Sequence, residues 1–166
     1  MNFTKLRFEV GRPGRSKTSD PAAIGVSADD AFVAMSAFDE IGIWRAELDS
    51  GLVYWTDSVF RIYGLEVKEG PVSIPDAIAA YHPEDRDLVL QCVEEASAKK
   101  TGFRFVLRLC RASGEIVWVK SHGMYRVNAE GREELFGYIE QFSPLARSVT
   151  ILDESVFTPG ADVTAQ

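Results

Sequence analysis

Residues 103–119 read FRFVLRLCRASGEIVWV, and two apolar runs in this stretch flank a Ser-Gly turn. Every second residue from Phe103 to Leu109 is large and apolar, whereas Arg104 and Arg108 lie on the opposite side. Strict alternation with a period of two predicts a β-strand with one buried face, and the glycine turn joins it to a second strand. The stretch therefore predicts an antiparallel hairpin with one face in the core.

The strands that follow have two apolar faces. We predict consecutive strands at 103–111, 115–127 and 133–142, and large apolar side chains occupy both faces of the last two. One face, the inner face, packs against the core, so the other, the outer face, needs a cover. The predicted outer-face residues are Trp118, Met124, Phe136, Tyr138 and Phe142.

The region before these strands supplies helices and a second hairpin. Residues 41–48 and 52–55 predict two short strands around a glycine turn, and residues 83–99 predict the longest helix because their apolar positions fall on one side. Two shorter helices are predicted in between, one ended by Gly64 and one begun by Ser73. We therefore predict an α+β fold, a five-stranded antiparallel sheet with helices on one face.

A further helix precedes the first strand. Ser27 and Asp30 form a capping-box pattern, and the helix is predicted over 28–39. Its apolar stripe consists of Phe32, Met35 and Phe38. This stripe matches the outer face in character, so we expect the helix to cover that face, by folding back or by crossing to a second copy, and to help form a homodimer.

The predicted organisation is one domain with extensions: a disordered basic arm and linker at 1–26, a flanking helix at 27–40, the α+β domain at 41–143 and a C-terminal tail at 144–166. Residues 1–18 carry a charge of +4, and the remainder of the chain carries −11. A body this acidic repels phosphate backbones, so we expect no nucleic-acid binding.

The chain has no apolar run long enough for a transmembrane helix and no secretory signal pattern. Both cysteines, Cys92 and Cys110, lie within patterned segments, which favours free thiols in a reducing compartment. We therefore expect a cytoplasmic protein that does not associate with membranes.

Four stretches carry a resemblance when taken in order. They are GIWRAELDSGLVYWTDSVFRIYGL (42–65), YHPEDR (81–86), FRFVLRLCRASGEIVWV (103–119) and GYIEQFS (137–143). Together they resemble a PAS (Per-Arnt-Sim) domain, of the subgroup with a His-Pro-acidic-acidic-Arg opening on the long helix. The resemblance covers about 40–143 and implies a sensory fold that acts through protein–protein interaction.

The chain departs from that family in two places. Flavin-binding photosensor members carry a reactive cysteine before the long helix, whereas residues 64–85 contain none, so we expect no cofactor. Many members end the last strand with Asp-Ile-Thr, which couples them to an attached effector, and here Gln141, Phe142 and Ser143 occupy those positions. We therefore expect a stand-alone module whose partner is a separate signalling protein such as a histidine kinase.

Individual polar residues offer little chemistry. We interpret His82 as a helix cap, with haem or metal ligation as the alternative, and His122 as a surface or interface residue. Cys92 lies on the apolar stripe of the long helix and is interpreted as core. The pairs Glu94-Glu95 and Glu133-Glu134 are interpreted as solvated surface. We therefore expect no catalytic residues and no metal.

The remaining question is a cavity between the inner face and the helices. The predicted lining is Tyr63, Ile78, Tyr81, Val89, Phe105, Leu107, Leu109, Val119, Ser121, Leu135 and Ile139. Most of these side chains are large and apolar, so the space is either packed core or a pocket for a small apolar ligand. An enzyme on a curved-sheet scaffold is a more distant alternative, because this lining lacks convergent acids and bases.

Overall fold

The computed structural model describes residues 21–142; residues 1–20 of the predicted arm, and residues 143–166, which include the predicted tail, lie outside that range. The elements are a 3-10 turn Pro21–Ile24, α1 Ala28–Ser36, β1 Ile41–Glu47, β2 Leu52–Trp55, α2 Asp57–Tyr63, β3 Val72–Ser73, α3 Ile74–Ala79, a 3-10 turn Pro83–Asp85, α4 Arg86–Lys99, β4 Gly102–Cys110, β5 Ile116–Val127 and β6 Glu133–Gln141.

The strands form one antiparallel sheet in the order β3-β2-β1-β6-β5-β4. The chain therefore places its first hairpin beside its last strand, and β6 lies between β1 and β5. The α+β class, with an antiparallel sheet and helices, is confirmed.

The predicted strand number of five is wrong, because the sheet has six strands. The additional strand, β3, has two residues, which pair antiparallel with Leu52 and Val53 of β2. It follows Gly70 and Pro71 and runs directly into α3. Two residues are too few to produce an alternating pattern, so the sequence predicted a loop there.

The predicted helix caps are present, with one change of partner. The Ser27 hydroxyl accepts from the Asp30 N–H at 3.0 Å, and the Ser73 hydroxyl accepts from the Asp76 N–H at 3.1 Å. Thr56 occupies the N-cap of α2, but its hydroxyl accepts from the N–H of Ile43 instead. These caps show that α1 and α3 begin where local chemistry predicts, although α1 ends at Ser36, earlier than the predicted 39.

The His-Pro-Glu-Asp-Arg segment fastens α4 to β4. The Asp85 carboxylate accepts three hydrogen bonds from Arg108, from its backbone N–H and from Nε at 2.9 Å each and from Nη2 at 2.7 Å. His82 donates its N–H to the carbonyl of Arg108, and its Nδ1 accepts from the Glu84 N–H, so the interpretation of His82 as a cap is confirmed. The helix start is thereby fixed against the edge of the sheet.

The core lies between the inner face and helices α2, α3 and α4. The interior side chains of β4, β5 and β6 are buried together with those of α2 and α4. The buried apolar residues of the larger cluster are Val59, Ile62, Tyr63, Tyr81, Val89, Leu107, Leu109, Val117, Val119 and Ile139. This packing leaves the outer face of the sheet without a helix layer from α2, α3 or α4.

Candidate functional site

A cavity of about 70 Å3 lies between the inner face and helices α2, α3 and α4. The described residues that line it include no Asp, Glu, Lys, Arg, His or Cys. Tyrosine and serine hydroxyls and the tryptophan indole N–H groups are its polar side-chain groups. The cavity is therefore suited to uncharged contents.

Six aromatic rings surround this cavity. Trp44 stacks on Phe103 with ring centroids 5.9 Å apart, and Phe103 stacks on Phe105 at 5.6 Å. Phe105 meets Tyr81 edge-on at 5.6 Å, Tyr81 meets Tyr63 at 6.2 Å, and Tyr63 lies 4.4 Å from Trp55. Trp55 stands opposite Trp44 in the β1–β2 register, which closes the series. We call these six residues the aromatic cluster.

Two tyrosines of the aromatic cluster meet inside the core, where the rings of Tyr63 and Tyr81 lie edge-on with their centroids 6.2 Å apart. Burial raises the pKa of Tyr63 to about 12, and burial together with the nearby Tyr63 raises the pKa of Tyr81 well above its ordinary value. Both phenols are therefore protonated at neutral pH and act as hydrogen-bonding groups rather than as a base.

Gly123 makes room for the stacked part of the aromatic cluster. Gly123 and Gly137 face each other across β5 and β6. A Cβ at Gly123 would lie 2.4 Å from the Phe103 ring and 2.9 Å from the Trp44 ring. The large rings thus lie over bare backbone, which only glycine provides at this position.

The predicted cavity residues divide into two groups. Eight of them line the cavity: Tyr63, Ile78, Tyr81, Val89, Phe105, Ser121, Leu135 and Ile139. Leu107, Leu109 and Val119 are absent from that lining and lie in the surrounding core cluster. They share the inner face with Phe105 and Ser121, but they stand farther along β4 and β5.

Three members of the aromatic cluster were not predicted from the sequence. Trp44, Trp55 and Phe103 line the cavity but were not predicted to do so. Phe103 has the same strand parity as Phe105, and the glycine turn of the first hairpin brings Trp44 opposite Trp55. Register counting from the two turns would have found all three.

The outer face carries the predicted apolar residues. Strand registers place Trp118 and Met124 of β5 on the side opposite the cavity, together with Phe136 and Tyr138 of β6. Met124 is 49% exposed, Phe142 is exposed just after β6, and the other three are half-buried. Ile43 and Val106 extend this exposed apolar area on β1 and β4. We call these seven residues the outer patch.

His122 lies within the outer patch. Its ring stacks on Tyr138 with centroids 4.6 Å apart, and its register partner on β4 is Arg104. Its Nε2 is buried and has no hydrogen-bond partner within residues 21–142. Burial and the nearby Lys120 and Arg104 lower the pKa of His122, which keeps the imidazole neutral.

The interpretation of Glu134 as solvated surface is wrong. Glu134 is 1% exposed, although it lies on the outer side of β6. Its carboxylate accepts from Arg45 at 3.1 Å, from Arg126, and from Asn128 at 3.3 Å. Burial alone would raise its pKa, but these hydrogen bonds and charges lower it. Glu133, its neighbour, is exposed and pairs with Lys100.

Helix α1 buries none of its residues. Phe32 and Met35 are exposed, Met35 by 58%, and Phe38 is exposed beyond the helix end. The apolar stripe predicted to cover the outer face is therefore not buried by any other part of residues 21–142 of the same chain.

Other potential sites are weak within the described range. Residues 21–142 contain no group of three His, Cys, Asp or Glu side chains placed to hold a metal ion. Both cysteines are free and half-buried, and burial raises the pKa of Cys92. None of the helices in this range combines the length and apolar character needed to cross a membrane.

The family described as PAS fold matches residues 52–139, which is more than half of the chain. The chain belongs to the PAS fold family. It is a PAS sensory domain, as the resemblance of its four sequence stretches predicted. No protein among those with curated descriptions matches it.

Solved PAS structures share the fold at low sequence identity. One is a sensory box histidine kinase/response regulator from Burkholderia thailandensis, with 21% identity, a TM-score of 0.55, and coverage of 66% of this chain and 82% of that chain. Another is the N-terminal domain of a diguanylate cyclase with PAS/PAC sensor from Marinobacter aquaeolei, with 19% identity, a TM-score of 0.53, and coverage of 60% and 92%.

The cavity does not fit a flavin, the chromophore of some PAS members. An apolar cavity of about 150 Å3 admits one benzene ring. The cavity here has about half that volume, and the three-ring flavin system exceeds it. The segment that carries the reactive cysteine in photosensor members has none here.

Proposed function

We propose that this PAS domain is a regulatory module of cytoplasmic signal transduction that acts through protein–protein contacts of its outer patch. The observation that carries the proposal is the presence of two exposed apolar surfaces, the outer patch and the stripe of α1. Exposed apolar areas of this kind mark interaction sites. The α1 stripe of a second copy covers the outer patch, and the functional unit is a homodimer.

The charges of the two surfaces support a second copy of the chain as the molecule that covers the outer patch. Residues 21–40 contain four acidic side chains and no Lys or Arg. Beside the outer patch, Arg104 is exposed and has no ion pair within residues 21–142, while the neighbouring Lys120 is paired with Glu140. An acidic helix with an apolar stripe therefore complements an apolar patch with an unpaired arginine.

The energy of this contact is large enough to matter. Covering the large side chains of the outer patch buries on the order of 400 Å2 of apolar surface. Before opposing costs, this burial contributes about 10 kcal/mol of favourable free energy, at about 25 cal/mol per Å2. Association and ordering costs of comparable size oppose this gain. Loss of one central side chain then decides between dimer and monomer.

The module binds and regulates rather than catalyses. Its cavity lining offers no carboxylate, imidazole or thiol, and its two phenols have raised pKa values that make them poor bases at neutral pH. We propose a histidine kinase as the signalling partner, the class named in the Burkholderia thailandensis neighbour. The free thiols suit a reducing cytoplasm.

A second candidate function is a small-ligand sensor. The aromatic cavity favours it, because natural interiors contain few voids larger than a water molecule. In this alternative, an occupied cavity alters the sheet and thereby the contact at the outer patch.

Light scattering tests the proposed homodimer. We expect the full chain to have the mass of a dimer, and Met124→Asp or Met35→Asp to shift it toward the monomer. The matched control is Val67→Asp, which places the same charge at a residue 48% exposed on the loop between α2 and β3. A monomeric wild-type chain, or dimers that survive both Met substitutions, would reject the proposal.

A further inference from the structure

Arg104 is an exception among the basic residues of the outer face. Strand parity places five basic residues of the range 21–142 on that face. Four of them are held by carboxylates of their own chain: Arg45 by Glu134, Arg108 by Asp85, Lys120 by Glu140 and Arg126 by Glu134. Arg104 is exposed, and its register partner His122 is neutral and offers no negative charge. Within the described part of the chain, the outer face thus has one basic residue without a carboxylate partner.

The acidic residues around α1 differ in the same way. The Asp30 carboxylate accepts from the backbone N–H and the hydroxyl of the capping serine, and Glu40 is paired with Arg61. Asp29 and Asp39 are exposed and have no partner among the described residues. Asp39 lies beyond the end of α1 and two residues before β1, so it stays beside its own sheet. Asp29 lies in the first turn of α1 and is therefore the carboxylate that reaches a second copy together with the helix.

The spacing of the two surfaces places Asp29 at Arg104. Met124 and Met35 are the most exposed members of the outer patch and of the stripe within α1, so we pair them at the centre of the contact. Asp29 precedes Met35 by six residues, which is about 9 Å along a helix. The β4–β5 register puts Met124 two residues along and one strand across from Arg104, which gives about 8 Å. Asp29 also borders the stripe, because Phe32 follows it at helical spacing.

We propose that Asp29 of one copy forms an ion pair with Arg104 of the other, and that this pair fixes the direction in which α1 crosses the outer patch. This inference rests on the proposed homodimer. With Asp29 at β4, α1 runs from β4 across β5 toward β6. In the reverse direction Asp29 would lie toward β1, where Arg45 is already paired with Glu134. The apolar surfaces alone do not distinguish the two directions, whereas the wrong direction leaves both charges unpaired.

The test is the dimer dissociation constant of the full chain, measured by sedimentation equilibrium for single and double charge reversals. A two-fold dimer contains the ion pair twice, so each reversal replaces two attractions by two repulsions. We expect Arg104→Glu and Asp29→Arg each to weaken dimerisation about 5- to 30-fold, and the double variant to return within about 3-fold of wild type. Lys68→Glu and Glu66→Arg make the same charge changes on the exposed loop between α2 and β3, and as matched controls they should stay within about 2-fold.

Each outcome decides a separate point. A double variant that dimerises no better than the single variants overturns the ion pair, and so does rescue of Arg104→Glu by Asp39→Arg instead of Asp29→Arg. A monomeric wild-type chain overturns the proposed homodimer itself, whereas a stable dimer without rescue overturns the ion pair alone. Salt gives a second readout without charge reversal: raising sodium chloride from about 50 to about 500 mM should weaken the wild-type dimer more than the Arg104→Gln dimer. An equal salt response of the two chains would contradict the assignment of Arg104.

Discussion

Substitution of Asp85 by Ala should destabilise the protein more than the loss of an ordinary surface ion pair does, because Asp85 anchors α4. Asp85 is buried and accepts three hydrogen bonds from Arg108, whereas Glu84 contacts the same guanidinium from an exposed position. Breaking a buried ion pair costs about 3–5 kcal/mol. The destabilisation is smaller here, because the Arg108 side chain is partly exposed and keeps its contact with Glu84. We therefore expect Asp85→Ala to lower the free energy of unfolding by about 2–4 kcal/mol.

Glu84→Ala is the matched control, because it removes the exposed carboxylate from the same arginine. Its expected cost is about 0–1 kcal/mol. Urea unfolding followed by the fluorescence of the three tryptophans measures both variants. Equal losses in the two variants, or a loss below about 1 kcal/mol for Asp85→Ala, would refute the assignment of Asp85 as the anchor.

The contribution of Asp85 should also depend on pH. Burial alone would raise the pKa of its carboxyl, but the hydrogen bonds and charge of Arg108 outweigh burial and lower the pKa below the usual 3.8. A carboxyl with a lowered folded-state pKa stabilises the protein above the unfolded pKa, and this contribution is lost as the pH falls through the folded value. The difference between wild type and Asp85→Ala should therefore be constant from pH 5 to 7 and shrink below pH 4.

Three further predictions concern the inner and outer faces. Leu107→Ala should cost about 2–5 kcal/mol in urea unfolding, since Leu107 belongs to the core cluster, whereas Leu90→Ala, at an exposed site on α4, should change stability by less than about 0.5 kcal/mol. Gly123→Ala should lower the free energy of unfolding by about 1–3 kcal/mol and alter the near-ultraviolet circular dichroism, because the added Cβ collides with the Phe103 ring. An unchanged spectrum would contradict the stacked arrangement of Trp44 and Phe103. His122 has a pKa below its usual 6.5, so the unfolded chain binds a proton at a higher pH than the folded chain does. The free energy of unfolding should therefore fall as the pH drops below about 6.5, and His122→Gln should remove that part of the pH dependence. Identical pH profiles of unfolding for wild type and His122→Gln would reject this prediction.

Local chemistry made much of the fold predictable. Alternation in β4 and the capping residues Ser27 and Ser73 depend on neighbours in the chain, and the structure reproduces them. The two-residue β3 has no pattern of its own and depends on pairing with β2, so it was not predicted.

The site was less predictable because it depends on distant partners. Glu134 is buried through Arg45, 89 residues away, together with Arg126 on the neighbouring strand. Strand parity places Leu107 and Phe105 on the same face, but parity does not state which of them reaches the cavity. That distinction comes from where α3 and α4 cross the sheet, which sequence periodicity does not encode.

Complementation between a variant of the α1 stripe and a variant of the outer patch tests the helix-crossed homodimer most directly. Met35→Asp damages the stripe of α1, and Met124→Asp damages the outer patch. A mixture forms heterodimers in which the intact α1 of one chain meets the intact outer patch of the other. We expect light scattering to show more dimer in the mixture than in either variant alone at the same total concentration. A mixture with the mass of the separate variants would contradict the crossing of α1 to a second copy.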